Sequence, residues 1–146
     1  MKDAAPKRNA ALTEAERQRI ADAFGAVPFA RMLGLEMVSV ERGEAVLRLG
    51  IRDELKQNHG IIHGGVTASL IDTAAAFVIL TLLEPDQTTT TVDLTIHYLR
   101  PLVKGQATAH ARIVRGGRRI IIAAVDVFDE AESLAATALT TYIRLT

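Results

Sequence analysis

A chain of 146 residues with 49% hydrophobic content is long enough to bury one core and short enough to need only one domain. Its 17 Lys and Arg balance 17 Asp and Glu, so the excess of positive charge on which phosphate-backbone binding leans is missing and nucleic acid is a poor partner. The absence of cysteine removes disulfides, thiolate nucleophiles and zinc–thiolate sites together and fits a reducing compartment.

Met1 to Leu12 is polar and basic without the apolar centre of a secretory signal. The longest apolar stretch, Ala74 to Leu83, is too short to span a bilayer. A soluble cytoplasmic protein with no membrane partner is expected. Residues 1–11 read as a flexible tail and 12–146 as the folded domain.

Thr13, with Glu16 three positions on, forms a capping box before a helical pattern that ends near Gly25. Its stripe of Leu12, Ile20, Ala23 and Phe24 predicts a helix lying on a sheet or at a substrate mouth. Pro28 to Gly34 then turns the chain. Met37 to Glu41 and Ala45 to Leu49 alternate apolar with polar around Arg42-Gly43, the pattern of two antiparallel strands joined by a tight turn. Asp53 to Ile62 follows as a loop of a length that is often functional.

His63 to Leu83 reads as a helix of about 21 residues, apolar almost all round, which predicts that it is wrapped by the rest of the fold. Glu84-Pro85-Asp86 ends it. Thr88 to Tyr98 alternates with period two, placing Val92, Leu94, Ile96 and Tyr98 on one face and Thr91, Asp93, Thr95 and His97 on the other. Gly105 to Val114, Arg118 to Phe128 and Ser133 to Leu145 supply three more strands, the first two joined at Gly116-Gly117. The order predicts an α+β domain in which an antiparallel sheet of about six strands curls around one long central helix, with a short N-terminal helix at its edge. Open sheet edges and the small residues of the helix predict at least a homodimer.

One residue breaks the apolar pattern of the central helix. Asp72 lies between Leu70-Ile71 and Ala74-Ala75-Ala76-Phe77, where an ionised carboxylate is costly unless it is hydrogen-bonded, paired or reactive. At the start of the same helix, Gly64 and Gly65 leave backbone N–H groups uncovered at the positive end of the dipole, a setting suited to an oxygen that becomes an anion during reaction. Ser69 lies three positions before Asp72, but no strand-to-helix GxSxG elbow exposes it, so it reads as pocket lining and not as a nucleophile. His59 and His63 lack helical spacing and an acidic partner, so no metal is expected. Ile61, Ile62, Val66 and Phe77 suggest an apolar pocket.

Asn58, Gly60, His63-Gly64-Gly65, an Asp nine positions after His63, and Tyr98-Leu99-Arg100-Pro101 downstream resemble the PaaI-type acyl-CoA thioesterases of the hotdog-fold superfamily. The resemblance covers nearly all of the chain from Phe29 onward. It implies a homodimer, often paired into a homotetramer, whose two sheets join and whose active sites lie at the subunit interface. It implies that Asp72 activates water or attacks the thioester, that the Gly64 N–H polarises the carbonyl, and that His63 and Asn58 shape the pocket. It implies that Thr91, or Thr90, supplies a hydroxyl that helps hold the attacking water; Gln57 occupies the position six before His63 where some relatives carry the Asn.

Gly65, Ser69, Arg100, Arg118 and Arg119 are the candidate substrate contacts, the arginines because coenzyme A carries phosphates that arginine grips well. Hydrolysis of an acyl-CoA to acid and thiol needs water but no cofactor. Two other readings use the same fold: a module that binds acyl-CoA without cleaving it, and a hydratase or dehydratase, which needs a differently placed His and acid.

Overall fold

The computed structural model describes residues 10–145, so positions 1–9 of the expected tail lie outside the described residues. Helix α1 (Glu14–Gly25) and helix α2 (Pro28–Leu33) precede strands β1 (Glu36–Glu41) and β2 (Glu44–Gly50). The long helix α3 (Gly64–Leu80) follows, and then β3 (Thr88–Tyr98), β4 (Gln106–Gly116), β5 (Ile120–Phe128) and β6 (Leu134–Leu145). All six strands pair antiparallel in one sheet of order β1-β2-β4-β5-β6-β3, which leaves β1 and β3 as edges. No described helix is long and apolar enough to cross a membrane.

The sheet closes on α3 through its inner face. On β4 that face is Ala107, Ala109 and Ala111, all buried, and their small side chains let the helix approach the middle of the sheet. Leu47 and Leu49 of β2 and Ile121, Val125 and Val127 of β5 fill the space on either side, against Leu70, Ile71, Ala74, Val78 and Ile79 of the helix. Each fully buried Leu, Ile or Val contributes about 1.5–3 kcal/mol relative to exposure.

Several local features differ from the expectations. Pro28 to Gly34 is not a plain turn but the short helix α2, with Pro28 in its first turn and Gly34 closing it at φ 73, a left-handed conformation that glycine adopts without strain. Six residues are too few for apolar periodicity to register. Helix α1 covers α3 and the β1 edge instead of the sheet face: Ile20 is fully buried, and Phe24 meets Phe77 edge-on at 5.2 Å. Its capping box forms as expected. Helix α3 runs 17 residues from Gly64 and stops at Leu80, because the hydroxyl of Thr81 donates to the Val78 carbonyl at 2.6 Å and accepts the Gly43 N–H at 2.9 Å. Arg118 and Arg119 fall in the turn between β4 and β5 rather than on a strand.

Edge strand β3 contains a bulge. Thr91 pairs with Tyr142 and Asp93 with Thr141, so Val92 has no partner and is 60% exposed. The extra residue reverses the alternation, which brings Thr91 onto the inner face with Leu94 and Ile96 instead of opposite them.

A helix this apolar makes few directional contacts, and among the described residues three side chains from outside it reach its main chain or its C-cap. The Tyr98 hydroxyl donates to the Gly64 carbonyl at 2.8 Å, the Tyr142 hydroxyl contacts the Asp72 carbonyl at 3.0 Å, and Arg42 Nη1 donates to the Thr81 carbonyl at 2.8 Å. Arg42 extends the last contact into a clamp: Nε donates to the Ala10 carbonyl, and Nη2 donates to Glu16 at 2.6 Å, while the Arg42 side chain is only 9% exposed. The Thr13 N–H and Arg42 together hold the Glu16 carboxyl below its ordinary range.

Removing a buried guanidinium with several acceptors leaves those acceptors unpaired, so Arg42→Ala is expected to lower the unfolding free energy by about 2–3 kcal/mol. Urea denaturation measures it, and an unchanged midpoint would exclude the clamp. A second prediction concerns alkaline pH. Burial, reinforced by the neighbouring Asp72, holds the Tyr142 phenol well above its ordinary range. The folded chain therefore keeps this proton while the unfolded chain releases it near pH 10, so stability is full below about pH 10 and falls above it. Tyr142→Phe is expected to flatten that fall, read from urea midpoints between pH 8 and pH 11.

Candidate active site

The loop Asp53–Ile62 fixes the start of α3. The His63 N–H donates to the Leu55 carbonyl at 2.9 Å, and the Ile62 N–H donates to the Leu102 carbonyl at 2.8 Å. Within the loop, Lys56 and Ile62 form an isolated bridge, and the Gln57 N–H donates to the Ile61 carbonyl at 2.8 Å, so the segment closes on itself. His63 is the N-cap: its Nδ1 accepts the Gly65 N–H at 2.9 Å. A Cβ on residue 65 would come within 3.0 Å of that nitrogen and 3.2 Å of Cε1. Glycine at 65 is what lets the ring fold over the first turn.

With the Gly65 N–H engaged by His63, the donor left at the helix start is Gly64, whose N–H has no acceptor among the described residues. The ring of Tyr98 lies against Gly64, its hydroxyl on the Gly64 carbonyl, and fixes the peptide from which this N–H projects. An unpaired N–H at the positive end of a helix is a suitable donor to an oxygen that gains charge.

Asp72 is half-buried on α3 and faces β3 and β6. Its Oδ1 accepts from the Tyr142 hydroxyl at 2.6 Å and from Thr91 Oγ1 at 3.0 Å. Oδ2 accepts no hydrogen bond among the described residues. The hydroxyl that reaches Asp72 is thus on Thr91, and Thr90 makes no such contact. Eight residues of helix separate Gly64 from Asp72, about 12 Å along the axis.

A cleft of about 690 Å³ opens beside the helix start, lined by Gln57, Ile61, Ile62, Gly64, Gly65, Thr67, Tyr98, Leu99, Arg100, Pro101, Leu102 and Ala135. Five sequence-named groups meet here: Gly64, Gly65, Arg100, Ile61 and Ile62. Others do not. Asn58 is exposed outside the lining, and Gln57 takes that place, its side chain also accepting from the His59 N–H. Ser69 is not lining, because its hydroxyl turns back to the Gly65 carbonyl at 2.8 Å. Val66 is likewise outside the lining, and Phe77 is buried against α1. Arg118 and Arg119 are exposed beside Ile120, which pairs with Ile143, and so sit at the Tyr142 end of the sheet, away from the cleft.

One contributor escaped the sequence reading, and another was noted there without being chosen. Gln57 was visible as the residue six before His63. Tyr142 was visible only as the one aromatic hydroxyl on the β6 face shared with Ala136, Ala138 and Thr140.

Residues 59–136 match the sequence profile of the Thioesterase superfamily. The chain is 32% identical to the medium/long-chain acyl-CoA thioesterase YigI of Salmonella typhimurium over 80% of this chain and 85% of that one. It is 31% identical to the 1,4-dihydroxy-2-naphthoyl-CoA hydrolase of Listeria monocytogenes, over 70% of this chain and 83% of that protein. Among solved structures, the PaaI protein of Escherichia coli superimposes with a TM-score of 0.84 at 23% identity, covering 90% of this chain and 95% of its own, which establishes the common fold. The sheet, the enclosed helix and these similarities together place the chain in the thioesterase superfamily, as a thioester hydrolase built on the PaaI-type hotdog fold.

Proposed function

We propose that the chain hydrolyses acyl-CoA to free acid and coenzyme A in a site shared by two subunits, with Asp72 of one activating water or attacking the thioester and the Gly64 N–H of the other polarising the carbonyl. The observation that carries this reading is the placement of the two groups on one helix. An unpaired N–H and an unpaired carboxylate oxygen, about 12 Å apart along a rigid axis, cannot both reach one thioester carbonyl within a single chain. Edge strand β3 touches both, through Thr91 at Asp72 and through Tyr98 at Gly64. Pairing two copies of β3 antiparallel about a twofold axis exchanges the ends, and sets the Asp72 of each chain near the Gly64 of the other.

The remaining residues have roles in the same site. His63 holds the helix start, Gln57 lines the cleft where Asn58 was expected, and Thr91 bonds Asp72. The apolar walls of Ile61, Ile62, Leu99 and Leu102 suit an acyl or pantetheine chain. Arg100, Arg118 and Arg119 form no ion pair among the described residues and are available to coenzyme A phosphates. The printed activities of the YigI and naphthoyl-CoA relatives support acyl-CoA as the substrate class. One base and one oxyanion donor suffice chemically, because a thiolate leaves without strong acid assistance.

Asp72→Asn is expected to lower kcat by at least about 100-fold in a thiol-release assay over a panel of acyl-CoA substrates. Wild-type turnover by that variant would overturn the assignment. Gly64→Pro removes the other donor while keeping a residue tolerated at the first helical position. Each variant alone is expected to be inactive, and refolding them together should recover about a quarter of wild-type activity, the share expected of random twofold pairing with one intact site per mixed dimer. No recovery would exclude the shared site.

A further inference from the structure

Two hydroxyls converge on one oxygen of Asp72, and none among the described residues reaches the other. That asymmetry has a physical consequence. The terminal torsion of an aspartate is broad and nearly twofold, so an unrestrained carboxylate presents either oxygen over a range of directions. Donors at 2.6 Å and 3.0 Å on Oδ1 remove that freedom and give the lone pairs of Oδ2 one fixed direction. Of the two, Tyr142 is the better anchor. It is 3% exposed, lies on β6, which is paired on both sides, rather than on an edge strand, and contacts the main-chain carbonyl of Asp72 as well as the side chain. Its single proton goes to Oδ1, the shorter and charged contact. Thr91, on exposed edge strand β3, reaches the same oxygen only because the bulge at Val92 turns it inward.

We propose that Tyr142 is a positioning residue for the reaction: it holds Asp72 Oδ1, assisted by Thr91, so that Oδ2 alone is aimed at the reacting carbon or at the water that attacks it. The inference rests on Asp72 being the group that performs one of those two steps. It deepens that reading by assigning the work to one oxygen and naming the side chain that selects it. Burial, with Asp72 adjacent, keeps the phenol protonated and therefore a donor throughout the neutral range. The ring also pins α3 to the sheet, so a structural role alone would already predict lost stability on substitution. The test must read something that pinning does not move.

Tyr142→Phe keeps the buried ring and deletes only the hydroxyl; Thr91→Val and Thr91→Ser delete and keep the second donor. Purified full-length variants are assayed for thiol release from the best acyl-CoA substrate between pH 5 and pH 9, with wild type and Asp72→Asn alongside. Misdirecting a reactive group costs on the order of 10–100-fold, so kcat of Tyr142→Phe is expected to fall by about that factor while KM, set in a cleft that Tyr142 does not line, stays within about twofold. Loss of a donor to a carboxylate disfavours its charged form, so the acid side of the kcat/KM profile is expected to move to higher pH. Thr91→Val should move it the same way, and Thr91→Ser should restore most of the loss. A Tyr142→Phe enzyme with wild-type kcat and an unmoved acid limb, beside an inactive Asp72→Asn, would overturn the positioning role and leave the thioesterase reading standing. A wild-type chain that releases no thiol from any acyl-CoA would overturn both.

Discussion

An apolar helix enclosed by a sheet gains most of its free energy from burial, and burial is not directional. Sliding α3 by part of a turn would exchange one aliphatic contact for another at small cost. What fixes its position is a set of polar contacts, from Tyr98 to the Gly64 carbonyl at its start, from Tyr142 to the Asp72 side chain at its middle and from Arg42 to the Thr81 carbonyl just past its end. A carbonyl oxygen has two lone pairs, so Tyr98 uses capacity that the helical ladder leaves spare. Two of the pinned residues, Gly64 and Asp72, are also the two that carry unpaired polar groups at the site. The contacts that hold the helix in register are therefore the contacts that aim those groups.

The bulge at Val92 shows the same economy of means. In a regular β3, Thr91 would point away from α3, with Asp93 and Thr95. One unpaired residue reverses the parity for the first part of the strand and places a hydroxyl 3.0 Å from Asp72. The cost is local: Val92 is left exposed and the ladder is interrupted on an edge strand, where fewest hydrogen bonds are lost. Bulges beside reactive groups commonly re-aim a side chain in this way.

The overall architecture was legible because its signals are long. Eleven residues of alternation gave β3 to its observed ends, and the nearly continuous apolar run from Val66 to Leu80 marked α3 as enclosed. The capping box at Thr13 and Glu16 and the anomaly at Asp72 each rest on chemistry that a few adjacent residues display. What escaped depends on register or on distance along the chain. Helix α2 is too short to show a period. The face assignment of Thr91 failed because a bulge leaves no mark in an alternation of threonines. Tyr142 lies seventy positions from the carboxylate it bonds, and nothing in its neighbours distinguishes a hydroxyl used from a ring merely buried. Asn58 outranked Gln57 in the sequence because the loop's closure between Lys56 and Ile62, which leaves Gln57 lining the cleft, is anchored by a bond from Ile62 to the distant Leu102.

The separation of Gly64 and Asp72 along one helix also has an electrostatic logic. A carboxylate close to the start of its own helix is drawn to the free N–H groups there as a cap, which would consume the donor and commit the acid. His63 already occupies the Gly65 N–H without carrying a negative charge, and Asp72, two turns further on, is held by hydroxyls instead of backbone donors. Each chain thus keeps one donor and one acceptor that no described residue satisfies, out of each other's reach. In the two-subunit site proposed for the reaction, these meet only across the β3 edges, with a thioester between them. The carbonyl oxygen then takes the N–H and the carboxylate faces the carbon, so substrate replaces the direct contact that a single-chain arrangement would have made.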